Sequence, residues 1–159
     1  MKANISMVRT NPTIFFSLFV LAGSCIMFPG CATLKPVTPA GIRTDMEALC
    51  REITVNRSVI NTLRDKRVGK TGFYYVLDSE GRVVFHPRPA LIGTSFSKVW
   101  FINQLLTEKS GCLTYTLGNR THYLFFQPLD ESEILCLSIV SDDLSRPVEC
   151  KAAQVKPDE

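Results

Sequence analysis

The chain is poor in the residues on which most catalytic and metal chemistry is built. It has two histidines, His86 and His122, one tryptophan and no Cys-x-x-Cys spacing, so a zinc site is not expected. It has no Gly-x-Ser-x-Gly turn. Asp78 upstream of His86, with Ser95 or Ser97 downstream, makes no recognisable nucleophile and base set. Asp142-Asp143 and Asp130-Glu131-Ser132-Glu133 read as solvated turns rather than paired carboxylates. There is no internal repeat, and no basic run that would mark a nucleic-acid partner. An enzyme is not expected, and neither is a metal or a cofactor.

A hydrophobic run long enough for a stable membrane span is also missing. From Thr13 to Phe28 the chain carries no charge, but that run is about 16 residues where spanning takes roughly 20. Pro29-Gly30 end it at once. Lys2 and Arg9 precede it, and a short positive segment, an apolar run and small residues together form an export signal. Two cysteines close the run. Cys25 has the more suitable small residues upstream, Ala22-Gly23-Ser24, yet would leave Ile26-Met27-Phe28 exposed at the new terminus. Cys31 is followed by a polar, proline-bearing stretch from Ala32 to Pro39 that suits a tether. Residues 1–31 are therefore read as a lipoprotein signal with Cys31 as the lipidated residue, and 32–43 as a linker. An ordinary secreted protein that discards both cysteines is the alternative. The expected address is the cell envelope, lipid-anchored and facing the periplasm or exterior.

Without Lys2 and Arg9, 16 basic residues face 15 acidic ones, so the exported part is nearly neutral. Roughly 128 residues remain, enough for one domain with its own core. Four cysteines follow Cys31, namely Cys50, Cys112, Cys136 and Cys150. In an oxidising compartment they permit two disulfides in three connectivities.

Thr44-Asp45-Met46-Glu47 has the form of a capping box. Behind it Met46, Leu49, Ile53, Ile60 and Leu63 recur at helical steps, which predicts one amphipathic helix of about 20 residues ending before Gly69. From Gly72 the period changes. Phe73 to Asp78 and Arg82 to His86 read as a hairpin around Ser79-Glu80-Gly81. Pro87, Pro89 and Gly93 force an irregular segment, and Phe96 to Lys109 reads as a short helix. Three strands follow, Cys112–Leu117, Thr121–Leu129 and Ile134–Val140, with Gly118-Asn119 as a turn. Residues 147–159 read as a polar tail.

These pieces resemble the Cache family, extracellular PAS-like sensory domains, and most closely its single-domain type. The resemblance rests on Gly72-Phe73-Tyr74-Tyr75, Asp78-Ser79-Glu80-Gly81-Arg82, His86-Pro87, Leu91-Ile92-Gly93, Gly111-Cys112-Leu113-Thr114-Tyr115 and Asp142-Asp143-Leu144, in order over about 75 residues. It implies an α+β domain over 44–146, with a five-stranded antiparallel sheet, a long N-terminal helix on one face and a loop and short-helix layer on the other. Family members often carry a Trp-rich segment before the last strand, where Glu131-Ser132-Glu133 stands here. They also usually lead into a signalling domain; none is read in this sequence, so a free-standing lipoprotein sensor is expected. In a PAS-like sheet Cys112 and Cys136 would lie two strand spacings apart, roughly 9.6 Å and beyond disulfide reach. Cys50 with Cys150 is then the expected pair.

The resemblance further implies a pocket between the sheet and the loop layer, holding a small metabolite such as a short organic acid. The residues expected to bind it are His86 and Arg88 at the strand-to-loop corner, with Tyr75 and Tyr115 on the sheet. Trp100 is placed as a roof, and Tyr123 is a weaker candidate beside Arg120. Each has a plainer role open to it: His86 capping a loop, Arg88 at the surface, the tyrosines and Trp100 in the core. The partners implied are a small molecule, the membrane through the anchor, and a receptor or other envelope protein. A structural or partner-docking envelope lipoprotein without a ligand is the competing reading.

Overall fold

The computed structural model describes residues 37–153; the signal segment with Cys25 and Cys31, and residues 154–159, lie outside them. Helix α1 runs Pro39–Val55. It starts where it does because Thr38 Oγ1 accepts the Gly41 N–H at 3.1 Å and Pro39 supplies a first-turn residue that needs no donor. Thr44 is therefore an exposed residue inside the helix, and residues 39–43, expected in the linker, form its first turn. The helix also stops early. At Asn56 the chain turns extended, and the Asn56 side chain caps a 3-10 turn over Arg57–Arg64 by accepting the Ser58 N–H at 3.1 Å. The predicted single helix is thus two segments, which together still bury Ile42, Met46, Leu49, Ile53, Ile60 and Leu63.

The strands are β1 (Arg67–Val68), β2 (Gly72–Asp78), β3 (Val83–Phe85), β4 (Gly111–Leu117), β5 (Arg120–Pro128), β6 (Glu133–Val140) and β7 (Lys151–Ala152). They lie side by side in the order β1-β2-β6-β5-β4-β7, with β3 also on β2. The five expected strands are present and pair antiparallel. Two-residue strands add to each edge, and β7 pairs with β4 in parallel. The β4–β5 hairpin closes through Gly118 and Asn119, both at positive φ (57° and 61°), with Leu117 paired to Arg120. That is the two-residue turn whose twist matches antiparallel strands. Between β2 and β3, Asp78 Oδ1 accepts the N–H groups of Glu80 and Arg82 at 2.9 and 2.8 Å while Gly81 takes φ 76°.

Alternation along the strands splits the core into two layers. Tyr74, Val76, Phe125, Leu135, Leu137 and Ile139 face α1. Tyr75, Leu77, Leu113, Leu124, Ile134 and Cys136 face the other way, toward Ile102 and Leu105 of α2 (Trp100–Glu108). The expected α+β, PAS-like class holds.

The C-terminal segment departs from the sequence reading. Residues expected in a polar tail wrap the sheet: Val148 and Cys150 pack on the α1-side core, and β7 lies along β4. Cys150 is joined to Cys112, Cα to Cα 5.0 Å, and Cys50 and Cys136 are free and buried. The pairing of Cys50 with Cys150 is overturned because the parallel strand β7 brings Cys150 beside β4, not beside α1. Burial pushes the Cys50 thiol up to about 11, with nearby Arg51 pulling it down and Glu47 pushing it up. The separation of Cys112 from Cys136 by an intervening strand holds, since β5 lies between β4 and β6.

Candidate ligand-binding site

A cavity of about 520 Å³ opens on the α2 side of the sheet, at the end where β4 finishes and β5 begins. Its floor is Phe73 of β2, Tyr115 and Leu117 of β4, His122 of β5 and Ser138 of β6. Cross-strand register places these together, because Tyr115 faces His122 and Phe73 faces Ser138. The segment after β3 supplies His86, Pro87, Arg88 and Leu91, and the β1–β2 corner supplies Arg67 and Thr71. Two other depressions, about 420 and 610 Å³, flank α1; Glu47 lines both, and none of the expected binding residues does.

His86 is 6% exposed and is held from three directions. Its Nδ1 accepts the Arg88 N–H at 2.9 Å, and its ring lies 5.3 Å from Phe73, edge-on, and 5.9 Å from Tyr75. A backbone N–H can only donate, so Nδ1 is unprotonated and the neutral ring carries its hydrogen on Nε2. Among the described residues Nε2 has no hydrogen-bond partner, and it is not sealed away as an orphaned buried atom. Burial lowers the His86 pKa, and the Arg88 charge lowers it further. The Arg88 side chain is exposed and makes no ion pair with another described residue.

Tyr115 and His122 form part of an aromatic stack. Phe101 lies 4.2 Å from Tyr115, and Tyr115 lies 5.2 Å from His122, both nearly parallel. Tyr115 Oη is 3.1 Å from Ser138 Oγ, and Ser138 is only 4% exposed. Burial raises the Tyr115 pKa, partly offset by that hydrogen bond. Burial lowers His122, and the Arg120 charge adds to the effect.

The structure therefore brings His86, Arg88 and Tyr115 to one cavity. Tyr75 is one layer behind: it does not line the cavity but packs beside Phe73 and His86, buried within the α2-side core. Trp100 is also set back, edge-on to Phe101, which in turn covers Tyr115. Tyr123 is on the wrong face. It sits one residue from His122, so alternation turns it into the α1-side core, and it is withdrawn from the cavity.

Arg67, Thr71, Phe73, His122 and Ser138 line the cavity and were absent from the sequence-based set. Two carried a readable signal. His122 and Ser138 are polar residues at positions that alternate with the buried Leu124 and Cys136. Asp143, read as part of a solvated turn, instead accepts the Thr71 N–H and hydroxyl at 2.6 and 2.8 Å. It thereby fixes the corner that carries Thr71. Among the described residues no helix is long and apolar enough to cross a membrane.

A methyl-accepting chemotaxis protein from Vibrio parahaemolyticus has a similar fold, with a TM-score of 0.52 at 16% identity over 64% of this chain and 86% of that one. Two further solved structures are more distant. One is the ligand-binding domain of the Pseudomonas fluorescens chemoreceptor CtaA in complex with L-leucine, at TM-score 0.39, 20% identity and 54% of this chain. The other is that of the Pseudomonas aeruginosa PAO1 amino-acid chemoreceptor PctB in complex with L-Gln, at 0.42, 22% and 55%. This chain spans 37% and 36% of those two. No curated protein sequence matches it significantly. The model of the Cache 3/Cache 2 fusion domain matches residues 52–145, and the chain belongs to that family of extracellular, ligand-binding sensory domains.

Proposed function

We propose that the protein binds a short organic acid in the cavity beneath the loop after β3 and serves as an envelope-anchored sensor. The observation that carries this reading is the charge on the cavity wall. Arg67, Arg88, His86 and His122 line it, and no aspartate or glutamate does. A carboxylate entering there meets charge-assisted donors, each contributing about 1.5–3 kcal/mol. Among the described residues His86 Nε2–H, the Arg88 guanidinium and the His122 ring have no hydrogen-bond partner, and the Tyr115 hydroxyl joins them from the floor. Tyr75 and Trp100 act behind them, one steadying the His86 ring and the other backing Phe101.

Lipidation at Cys31 is part of the same proposal, with the domain facing the periplasm or exterior and reporting to a receptor or another envelope protein. Mass spectrometry of the mature N-terminus tests the anchor; a chain starting at Cys25, or an unmodified start, would sink it. Titration calorimetry with acetate, propionate, pyruvate, lactate and a set of amino acids tests the site. One compound should bind, and Arg88→Ala should weaken it tenfold to a hundredfold, where a factor of ten is about 1.4 kcal/mol. Equal affinity in Arg88→Ala and His86→Ala would mean that the site is misplaced. If nothing in the panel binds, a partner-docking lipoprotein becomes the better account.

A further inference from the structure

We infer that anion binding in this cavity is proton-coupled, with His86 and His122 taking up protons as the anion enters, so that affinity rises as the medium becomes acidic. The inference rests on the anion-binding reading above and adds its regulation. Its ground is the arrangement of charge around the two imidazoles, which reach one cavity from different elements, the post-β3 loop and β5.

Among the described residues, every titratable or charged group that faces them is a cation or a neutral phenol. Tyr75 of β2 lies against His86, and Tyr115 of β4 is stacked on His122. Arg88 and Arg120 are the charges acting from their own segments, and Arg67 lines the cavity from β1. From β6 the cavity receives Ser138, which is uncharged. The carboxylate that approaches this wall is Asp143, and its Oδ2 is occupied by the N–H groups of Lys70 and Thr71 and by the Thr71 hydroxyl. An empty cavity thus offers an imidazolium no counter-charge, and both histidines are held below their ordinary value, by burial first. An incoming anion supplies what is missing.

The two differ in what protonation disturbs. His122 makes no hydrogen bond to another described residue, so a second proton breaks nothing. At His86 a proton on Nδ1 displaces the Arg88 N–H held at 2.9 Å, loosening the loop that carries Arg88. His122 is therefore the first to charge, and His86 follows with a change in its loop.

The chain has no other histidine, so the imidazole Cε1–H region of its NMR spectrum holds two signals, both reporting on the cavity. The pH is titrated from about 8 to about 5 with and without lactate, and again with sulfate; both anions keep their charge over that range. Dissociation constants are measured by calorimetry near pH 7.5 and near pH 5.5. Both imidazole pKa values should rise when the anion is bound, and at least one probe should bind tenfold or more tightly at the lower pH. In His122→Asn the slope of log Kd against pH should fall by about one proton. Equal affinity at both pH values, with imidazole pKa values unmoved by bound anion, overturns the coupling and leaves the ligand site standing. Failure of lactate and sulfate to bind at either pH overturns the coupling together with the anion reading.

Discussion

Asp143 grips Thr71 twice, accepting its N–H at 2.6 Å and its hydroxyl at 2.8 Å, and takes the Lys70 N–H at 2.8 Å on the same oxygen. The Thr71 hydroxyl oxygen in turn accepts the Val140 N–H at 3.1 Å. The corner between β1 and β2 is thereby tied to the end of β6. Burial by itself would raise the Asp143 pKa, but the bonds from Thr71 and Lys70 outweigh it and hold the carboxyl below its ordinary value. A depressed pKa stabilises the fold fully above the unfolded value, about 3.9, and the contribution disappears as pH falls through the folded value. Asp143→Asn should therefore be less stable than the parent at neutral pH, with the gap narrowing toward about pH 3. Urea denaturation at the two pH values measures it, and a gap independent of pH would contradict this account.

Cys112–Cys150 closes a loop over a sequence separation of 38. Restricting the unfolded chain in this way is worth about 2–4 kcal/mol, so Cys112→Ser or reduction should lower the melting temperature by several degrees. Cys50 and Cys136 are buried and their thiols are pushed up by burial. Native alkylation should leave both unlabelled. Rapid labelling of Cys136 in the folded protein would mean that the α2-side core opens far more readily than its packing implies.

Tyr74 is fully buried on the α1 side, and among the described residues its hydroxyl has no hydrogen-bond partner. Leaving such a group unsatisfied costs about 1–3 kcal/mol, so Tyr74→Phe should be neutral or stabilising. Tyr115→Phe, which gives up the contact with Ser138, should cost about 1 kcal/mol. Thermal or chemical unfolding of the pair checks the contrast, and a marked loss in Tyr74→Phe would show a partner for that hydroxyl.

Neighbouring positions on β4 and β5 separate the cavity from the opposite core. Tyr123→Phe should leave ligand affinity unchanged within about twofold, while Tyr115→Phe should weaken it about fivefold to tenfold, the loss of one neutral hydrogen bond. Calorimetry with whichever carboxylate binds distinguishes them. A Tyr123→Phe effect as large as that of Tyr115→Phe would place the ligand on the α1 side.

The strands could be read from sequence because apolar residues fill both faces of β2, β5 and β6, and because Gly118-Asn119 and Asp78-Ser79-Glu80-Gly81 carry turn chemistry. Three of the cavity's lining residues, His86, Arg88 and Tyr115, could be read as well. His86 and Arg88 follow from the strand-to-loop corner, whereas His122 and Ser138 follow only when alternation is carried through to its end. Counting from Leu124 puts His122 on the cavity side and Tyr123 on the other. Local pattern misled at α1, where the Thr44-x-x-Glu47 box is outcompeted by Thr38 followed by Pro39. Two features depend on contacts that no local pattern carries. Asp143 meets Thr71 across 72 residues, and the two-residue strand β7 lies along β4 next to the Cys112–Cys150 disulfide.

The covalent ring between Cys112 and Cys150 contains β4, β5 and β6, hence Tyr115, His122 and Ser138. Tension applied to the chain beyond Ala153 would pass through Cys150 directly to Cys112 at the start of β4, bypassing the strands inside the ring. A pull in that direction would rotate or drag the sheet as one body rather than unzip it strand by strand. The part of the cavity floor inside the ring, Tyr115, Leu117, His122 and Ser138, would keep its spacing under load, and deformation would fall on what lies outside it: α1, the β1–β2 corner with Arg67, Thr71 and Phe73, and the loop that carries His86 and Arg88.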